Sequence, residues 1–300
     1  MREINISIKN EYDKIELVQK SEQAFQKRLD IASKKIVNSD ASNILLSGPT
    51  CAGKTTTAQK IISDLNDINK PVTVISIDDF FKERQEQRQV DFGKKIDYDS
   101  VDVLDLPLLT ECIENAYPGN KVKVPIFDFV LQGRNGYKEH FIDPKGVLIY
   151  EGIQAVYPEI VSLFKGNYKG IFIDILDDVC INGVIFKKHE IRLIRRLVRD
   201  RKFRGASAEF TFYLWETVRE NEKKSIYPNK DICDVQIDSF MEYELFLMKK
   251  YIKDVLSEVP KESIYFDKAK KLINKFNEFE ELSYDYIPKN SLYTEFLGKK

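Results

Sequence analysis

The chain has 300 residues, of which 43% are hydrophobic and 32% are charged, so it suits a folded protein of one large or two small domains and is too apolar for a disordered one. Lysine and arginine number 47 against 48 acidic residues, and the net charge of -1 argues against a protein that coats nucleic acid or an anionic membrane. Four scattered cysteines and only two histidines argue against a zinc site. The charged N-terminus argues against a secretion signal, and the absence of an apolar run of about 18 residues argues against a membrane span. These features favour a cytoplasmic protein.

Helical and strand patterns alternate along the chain. Helices are predicted where apolar residues recur three and four positions apart, and strands where short β-branched runs are bounded by polar stretches. In chain order the predicted elements are a helix at 14–37, a strand at 43–47, a helix at 56–66, a strand at 72–77, a helix at 101–116, strands at 121–127, 147–150 and 171–176, helices at 190–202 and 208–223, a strand at 235–237, and helices near 240–256 and 261–280. This alternation predicts an α/β fold with a central parallel sheet flanked by helices.

A glycine-containing loop follows the first of these strands. Residues 48–55 read GPTCAGKT, which matches the phosphate-binding loop (P-loop) pattern G-x-x-x-x-G-K-[ST]. In such loops backbone N–H groups wrap phosphates, the lysine reaches the β- and γ-phosphates, and the last hydroxyl binds Mg²⁺. The residues expected to bind the nucleotide are Gly48, Pro49, Thr50, Cys51, Ala52, Gly53, Lys54, Thr55 and Thr56. The loop alone does not separate a kinase from a GTPase, a motor or a transporter ATPase.

Acidic residues end two of the predicted strands. Asp78 and Asp79 follow the strand at 72–77, and Glu151 follows four apolar residues. Ligands of parallel α/β sheets bind at the carboxyl ends of the strands, where a carboxylate can accept a proton from an attacking hydroxyl or contact Mg²⁺. The alternatives are a helix N-cap or first-turn acid for one of the aspartates and an exposed strand end for Glu151.

Four arginines lie three and four residues apart in the predicted helix at 190–202. Arg192, Arg195, Arg196 and Arg199 would share one face of that helix. Repulsion costs about 0.2–0.5 kcal/mol per like-charged pair, and a bound anion would offset it, so we expect this face to bind phosphates. The alternatives are a solvated face paired with nearby acids and a nucleic-acid surface, which the lack of interleaved aromatic residues disfavours.

These motifs, in this order, resemble the uridine kinase and phosphoribulokinase family of P-loop kinases. The matching segments, from Gly48 to about Asp238, are GPTCAGKTT, ISIDDFF, YDSVDVLD, VPIFDF, VLIYEGI, EIRLIRRLVRDRKFRG and CDVQI. The flanking segments MEYELFLMKK and IPKNSLYTEFLG resemble a bacterial uridine kinase-like subgroup, whose members often carry an N-terminal domain related to threonyl-tRNA synthetase. The stretch before Gly48 is too short for that domain, so we expect it to be absent.

The resemblance implies roles in phosphoryl transfer. Asp78 would be the catalytic base, and Thr55 and Glu151 would hold Mg²⁺ beside the phosphates of ATP. A mobile lid would complete the donor site, with Arg192 and Arg196 binding phosphates. The other catalytic groups would be Lys54, Arg195 and Arg199.

The same resemblance implies an acceptor pocket. The residues expected to bind the acceptor are Asp102 at the ribose hydroxyls, Phe127, Phe129, Gln132 and Arg134 around the base, and Arg204 after the lid. Two of these depart from the family pattern, because Phe127 replaces a tyrosine and Gln132 replaces a histidine; Ala206 also stands where the family has an arginine. The groups for phosphoryl transfer are intact and those that read the base are altered.

The resemblance also implies how the chain is divided. We expect a helical N-terminal extension at 1–42, a P-loop nucleoside-kinase-like domain at 43–238 and a helical C-terminal extension at 239–300. Within the central domain, residues 80–145 would bind the acceptor and residues 187–206 would form the arginine-rich lid.

Together these features predict a cytoplasmic kinase dependent on ATP and Mg²⁺. Its acceptor would be a small molecule, a nucleoside, which it would phosphorylate on the 5′-hydroxyl. It would bind neither nucleic acid nor membranes. The alternatives are a kinase of a purine nucleoside or another small alcohol, a nucleotide-binding regulatory protein with little turnover, and an RNA-binding accessory protein. The acceptor, the choice between ATP and GTP, and assembly into a homo-oligomer stay open.

Overall fold

A parallel sheet of five strands organises the molecule. We describe the protein from a computed structural model at residues 1–39, 41–83, 98–129 and 131–299. The strands of the central sheet are β2 (Asn43–Ser47), β3 (Val72–Ser76), β6 (Val147–Glu151), β7 (Lys169–Asp174) and β10 (Val235–Asp238). They are arranged in the order β10-β7-β2-β6-β3, every neighbouring pair parallel. The predicted α/β class is therefore confirmed.

Helices and smaller sheets surround this centre. The helices are α1 (Glu11–Val37), α2 (Lys54–Asp67), α3 (Leu106–Asn115), α4 (Pro158–Val161), α5 (Lys188–Arg204), α6 (Ala208–Asn221), α7 (Glu244–Ser257), α8 (Phe266–Asn274) and α9 (Thr294–Leu297). The remaining strands are β1 (Arg2–Ile4), β4 (Lys121–Asp128), β5 (Gly133–Phe141), β8 (Val179–Ile181) and β9 (Val184–Phe186). Among the described residues, no helix is both long and apolar enough to cross a membrane.

The alternation of side chains along each strand builds two cores, one on each face of the sheet. In β2, Ile44 and Leu46 pack on one face together with α1, α2 and α5, whereas Leu45 points to the other face. Tyr150 and Phe172 join Leu45 in the second core, under β4 and α3. Because both faces are covered, the strands are apolar throughout, which is why the sequence showed them as short continuous runs.

Two small sheets were not predicted. No element is predicted between residues 127 and 147, but β5 pairs with β4 in an antiparallel hairpin along most of that stretch. Most of β5 is exposed, so it lacks the alternation of apolar residues that marks a half-buried strand. In the second small sheet, β1 pairs parallel to β8, which in turn pairs with β9.

Both terminal segments pack into the first core. Phe25 of α1 is fully buried, as are Leu292 and Phe296 near the C-terminus. Helix α1 begins with a capping box in which Asn10 and Asp13 bond to each other's backbone N–H groups. The predicted boundaries at residues 42 and 238 stay predictions, since apolar contacts run continuously across them.

Candidate active site

The P-loop lies between β2 and α2, at the carboxyl edge of the sheet. Its tight path depends on Gly48, where a Cβ atom would lie 2.0 Å from the carbonyl oxygen of Ile173. It depends also on Gly53, whose φ of 96° is left-handed and disfavours residues with side chains. Lys54 Nζ donates to the carbonyls of Gly48 at 3.0 Å and Pro49 at 3.3 Å, so the ammonium group lies across the loop.

An open cleft of about 790 Å³ runs along this edge of the sheet. The predicted site residues that line it are Thr50, Cys51, Gly53, Lys54, Thr55, Asp78, Phe129, Glu151, Arg196, Arg199 and Arg204. The sheet explains their convergence, because Leu46 of β2 and Ser76 of β3 are both paired with Glu151 at the end of β6. The three strands therefore end side by side.

The two adjacent aspartates after β3 have different surroundings. Asp79 Oδ1 accepts a hydrogen bond of 3.1 Å from the backbone N–H of Phe127, so it anchors the hairpin. Asp78 lines the cleft beside Lys54. Burial raises the pKa of Asp78, and the charge of Lys54 opposes that rise. Asp78 thus lines the cleft, whereas Asp79 is bonded to the hairpin.

Glu151 is a carboxylate in an anionic neighbourhood. Burial raises its pKa to about 7; Lys54 acts against the rise, while Asp78, Glu295 and Asp79 add to it. A cation would relieve this repulsion, and the nearby hydroxyl of Thr55 lines the same cleft. No group of three or more His, Cys, Asp or Glu side chains among the described residues could hold a metal alone. One hydroxyl and one carboxylate fit Mg²⁺, which takes its other ligands from water and substrate phosphates.

Two of the predicted lid arginines do not face the cleft. Arg192 and Arg195 are fully buried. Arg192 pairs with Asp174 at 3.0 Å and with Glu222 at 2.9 Å, and Arg195 pairs with Glu244 at 2.8 Å. The prediction that all four arginines share one phosphate-binding face is therefore wrong for Arg192 and Arg195. Their acidic partners come from β7, the turn after α6, and the start of α7, which helical spacing cannot reveal.

The same two arginines brace the P-loop from behind. Arg192 donates to the backbone carbonyl of Thr50, and Arg195 to that of Cys51, each at 3.2 Å. Arg195 also lies against the rings of Tyr293 and Phe296, whose centroids are 5.7 and 5.3 Å from its guanidinium carbon. This part of α5 is thus packed into the molecule and tied to the loop.

The C-terminal half of α5 supplies the arginines that line the cleft. Arg196 and Arg199 both contact Asp200, at 3.2 and 2.8 Å, and both border the cavity. Arg204 also borders it, and 60% of its side chain is exposed. Guanidinium groups in this position can bind phosphate oxygens.

The predicted acceptor residues are only partly brought together. Phe129 lines the cleft. Phe127 is buried beside Phe129, and the centroids of the two rings are 5.2 Å apart. Asp102 instead borders an adjoining pocket that shares Asp99 and Asn221 with the cleft, and Arg134 pairs with Asp105. Gln132 adopts a left-handed φ of 51° in the turn just before β5 and does not line the cleft.

Several cleft residues escaped the sequence analysis. They are Tyr98, Asp99, Ile153, Leu214, Thr217, Val218, Asn221 and Glu295. Tyr98 and Asp99 belong to the segment YDSVDVLD, whose second acid, Asp102, was predicted to bind the acceptor. The first acid of that segment is the one that lines the cleft. Glu295 lies in the flanking segment IPKNSLYTEFLG, to which no role was assigned, and only the fold brings it to the P-loop.

Comparison with known proteins agrees with this geometry. The model of the Phosphoribulokinase / Uridine kinase family matches residues 44–245. The chain belongs to this family. A uridine kinase of Lactobacillus johnsonii is 30% identical over 71% of this chain and 95% of its own length. A uridine kinase of Pasteurella multocida is 29% identical over 65% and 84%.

The match to a yeast relative is confined to part of that protein. The uridine kinase of Saccharomyces cerevisiae is 32% identical over 65% of this chain, which corresponds to 36% of the yeast protein. The family match confirms the predicted resemblance and makes the chain a phosphotransferase with an alcohol group as acceptor.

Proposed function

We propose that this protein is a nucleoside kinase that transfers the γ-phosphoryl group of ATP to the 5′-hydroxyl of a nucleoside, with Mg²⁺. One observation carries the proposal: the P-loop lysine, the aspartate after β3 and the glutamate after β6 line a single cleft with Arg196 and Arg199. A protein that only binds nucleotide needs a phosphate cradle, whereas this cleft also offers a base and a group to stabilise transferred charge.

Each residue has a task in the reaction. Asp78 accepts the proton of the attacking hydroxyl, and its buried position favours that role because a raised pKa makes it a stronger base. Lys54 binds the β- and γ-phosphate oxygens, and Arg196 and Arg199 stabilise the charge that develops during transfer. Thr55 and Glu151 hold Mg²⁺, which when bound neutralises phosphate charge.

The acceptor site is proposed to read the sugar more strictly than the base. Asp99, rather than the predicted Asp102, borders the cleft and offers a carboxylate to ribose hydroxyls. Phe129 and Tyr98 offer ring faces, and stacking on such faces is worth about 1–3 kcal/mol for any base. Phe127 has no hydroxyl to bond a base carbonyl, so we expect weak discrimination between bases.

A second candidate is a kinase of another small alcohol. It is favoured by Gln132, which replaces the base-reading histidine of the family pattern and lies outside the cleft. The rest of the phosphoryl-transfer mechanism would be unchanged.

An acceptor panel tests the proposal. We would measure ADP formation from ATP with uridine, cytidine, adenosine, guanosine, inosine, their 2′-deoxy forms and a set of sugar and polyol alcohols. We expect turnover of several ribonucleosides, with lower kcat/KM for each deoxy form. Turnover of a non-nucleoside alcohol alone would favour the second candidate. ATP binding without turnover of any acceptor would contradict both.

A further inference from the structure

Residues 291–298, the C-terminal segment, pack against the P-loop and contribute Glu295 to the lining of the cleft. Leu292 packs so close to Gly53 that a Cβ atom there would lie 2.3 Å from its Cδ1 atom. Leu292, Tyr293, Phe296 and Leu297 are buried. This segment lies outside residues 44–245, which the family model matches.

Glu295 of this segment bonds directly to the start of the P-loop helix. Its Oε2 atom accepts a hydrogen bond of 3.0 Å from Thr56 Oγ1, two residues after Lys54 and next to Thr55. The carboxylate lines the same cleft as the phosphate-binding residues. It is therefore a fixed negative charge beside the position proposed for the phosphates.

The segment that carries Glu295 is held firmly. The rings of Tyr293 and Phe296 cover the buried Arg195. Lys202 donates to the backbone carbonyl of Leu297, and the hydroxyl of Tyr284 donates to that of Gly298 at 2.6 Å. Because its backbone is anchored on both sides, Glu295 cannot leave the cleft without disturbing these contacts.

Glu295 forms no close ion pair, although Arg199 borders the same cleft and its charge acts on this carboxylate. Among the described side chains, Thr56 is the only one that bonds to this carboxylate, and no lysine or arginine forms an ion pair with it. A nucleotide's phosphate chain is anionic at neutral pH, so a carboxylate in the same cleft repels it. A divalent cation bound with the nucleotide reduces the charge that Glu295 opposes.

We propose that Glu295 is a specificity-determining residue of the donor site, whose carboxylate disfavours a nucleotide that arrives without a divalent cation. The inference rests on the proposed function, since it assumes that the cleft takes a nucleotide. It adds a selective role for a segment outside the residues that the family model matches.

Nucleotide affinity measured by calorimetry tests this role without using activity. We would titrate ADP with Mg²⁺ and ADP with a chelator into the unsubstituted protein and into Glu295→Gln, which keeps the shape and a hydrogen-bond acceptor for Thr56. We expect Glu295→Gln to bind chelated ADP about tenfold more tightly and Mg²⁺–ADP with a smaller gain. The gain should shrink as salt is added.

Two further variants separate charge from other effects. Glu278→Gln removes the same charge from an exposed position of the C-terminal region outside the cleft and should leave both affinities unchanged. Thr56→Val removes the hydroxyl and keeps the carboxylate, so it should not tighten the binding of chelated ADP. Equal affinities of Glu295→Gln and the unsubstituted protein, or equal tightening by Thr56→Val, would overturn the inference. Absence of ADP binding by the unsubstituted protein would overturn the proposed function as well.

Discussion

The neighbours Asp78 and Asp79 have different surroundings, and sequence alone distinguishes them only by resemblance. The structure separates them by their partners, because Asp79 accepts the N–H of Phe127 whereas Asp78 lies in the cleft with Lys54. At this scale the strand-end acids and the P-loop were predictable, since each follows a recognisable apolar strand. Their individual environments were not, because they depend on the hairpin that packs above them.

Exchanging each aspartate for asparagine tests this division. Asp78→Asn removes the proton acceptor, so we expect kcat to fall by about 10²–10⁴-fold while ADP binding is retained. Asp79→Asn keeps an oxygen that can accept the Phe127 N–H, so kcat should change little. Steady-state kinetics and ADP titration of both variants measure this. A larger loss of kcat in Asp79→Asn than in Asp78→Asn would show that Asp79, and not Asp78, is the base.

Glu151 gives a prediction about stability and pH. Its pKa is about 7 in the folded protein against an ordinary value of 4.5, so between these two pH values the folded state binds the proton more tightly than the unfolded state. Stability should therefore fall as pH rises through this window. Glu151→Gln removes that loss. We therefore expect the unfolding free energy of the metal-free variant, relative to that of the metal-free unsubstituted protein, to be about 1–3 kcal/mol higher at pH 8 than at pH 5.

Urea denaturation of both proteins at the two pH values measures the effect. The difference in unfolding free energy between Glu151→Gln and the unsubstituted protein should grow toward pH 8. A difference that is the same at both pH values would show that Glu151 does not titrate as its burial indicates.

Helix α5 joins two functions in one element. Its first half holds Arg192 and Arg195 in buried ion pairs behind the P-loop, and its second half presents Arg196 and Arg199 to the cleft. The spacing of the arginines predicted the helix correctly. It could not show which arginines are buried and which line the cleft, because the acids that pair with the two buried ones lie far away in sequence. The polar hairpin strand β5 escaped prediction for a related reason, since its pairing partner and not its own pattern defines it.

Alanine substitutions distinguish the two halves of α5. Arg195→Ala leaves Glu244 buried without its partner and should lower the unfolding free energy by about 3–5 kcal/mol. Arg199→Ala should cost less stability and lower kcat instead, because that side chain borders the cleft. Replacing both buried partners, Arg195→Met with Glu244→Met, should be less damaging than Arg195→Ala. If Arg195→Ala were as stable as the unsubstituted protein and lost only kcat, Arg195 would be a lid residue after all.

The whole molecule combines a central sheet that carries the sequence motifs with terminal segments that pack against the core and the P-loop. Sheet, P-loop and strand-end acids follow from local sequence patterns and meet at one edge because parallel strands end together. The terminal segments were predicted only as helical extensions, and no pattern indicated that Leu292 would pack on Gly53 or that Glu295 would bond to Thr56. Such contacts depend on tertiary packing over more than two hundred residues of chain.

The most direct test of the proposed kinase is transfer of a labelled γ-phosphoryl group from ATP to uridine, with Mg²⁺, by the unsubstituted protein and by Lys54→Ala. Lys54 lies across the P-loop at the surface of the cleft, so its loss should leave the fold intact, which circular dichroism would check. We expect labelled uridine 5′-monophosphate from the unsubstituted protein and a rate lower by about 10²–10³-fold or more in Lys54→Ala. Equal rates in the two proteins, or no labelled product although ATP is bound, would contradict the proposed activity.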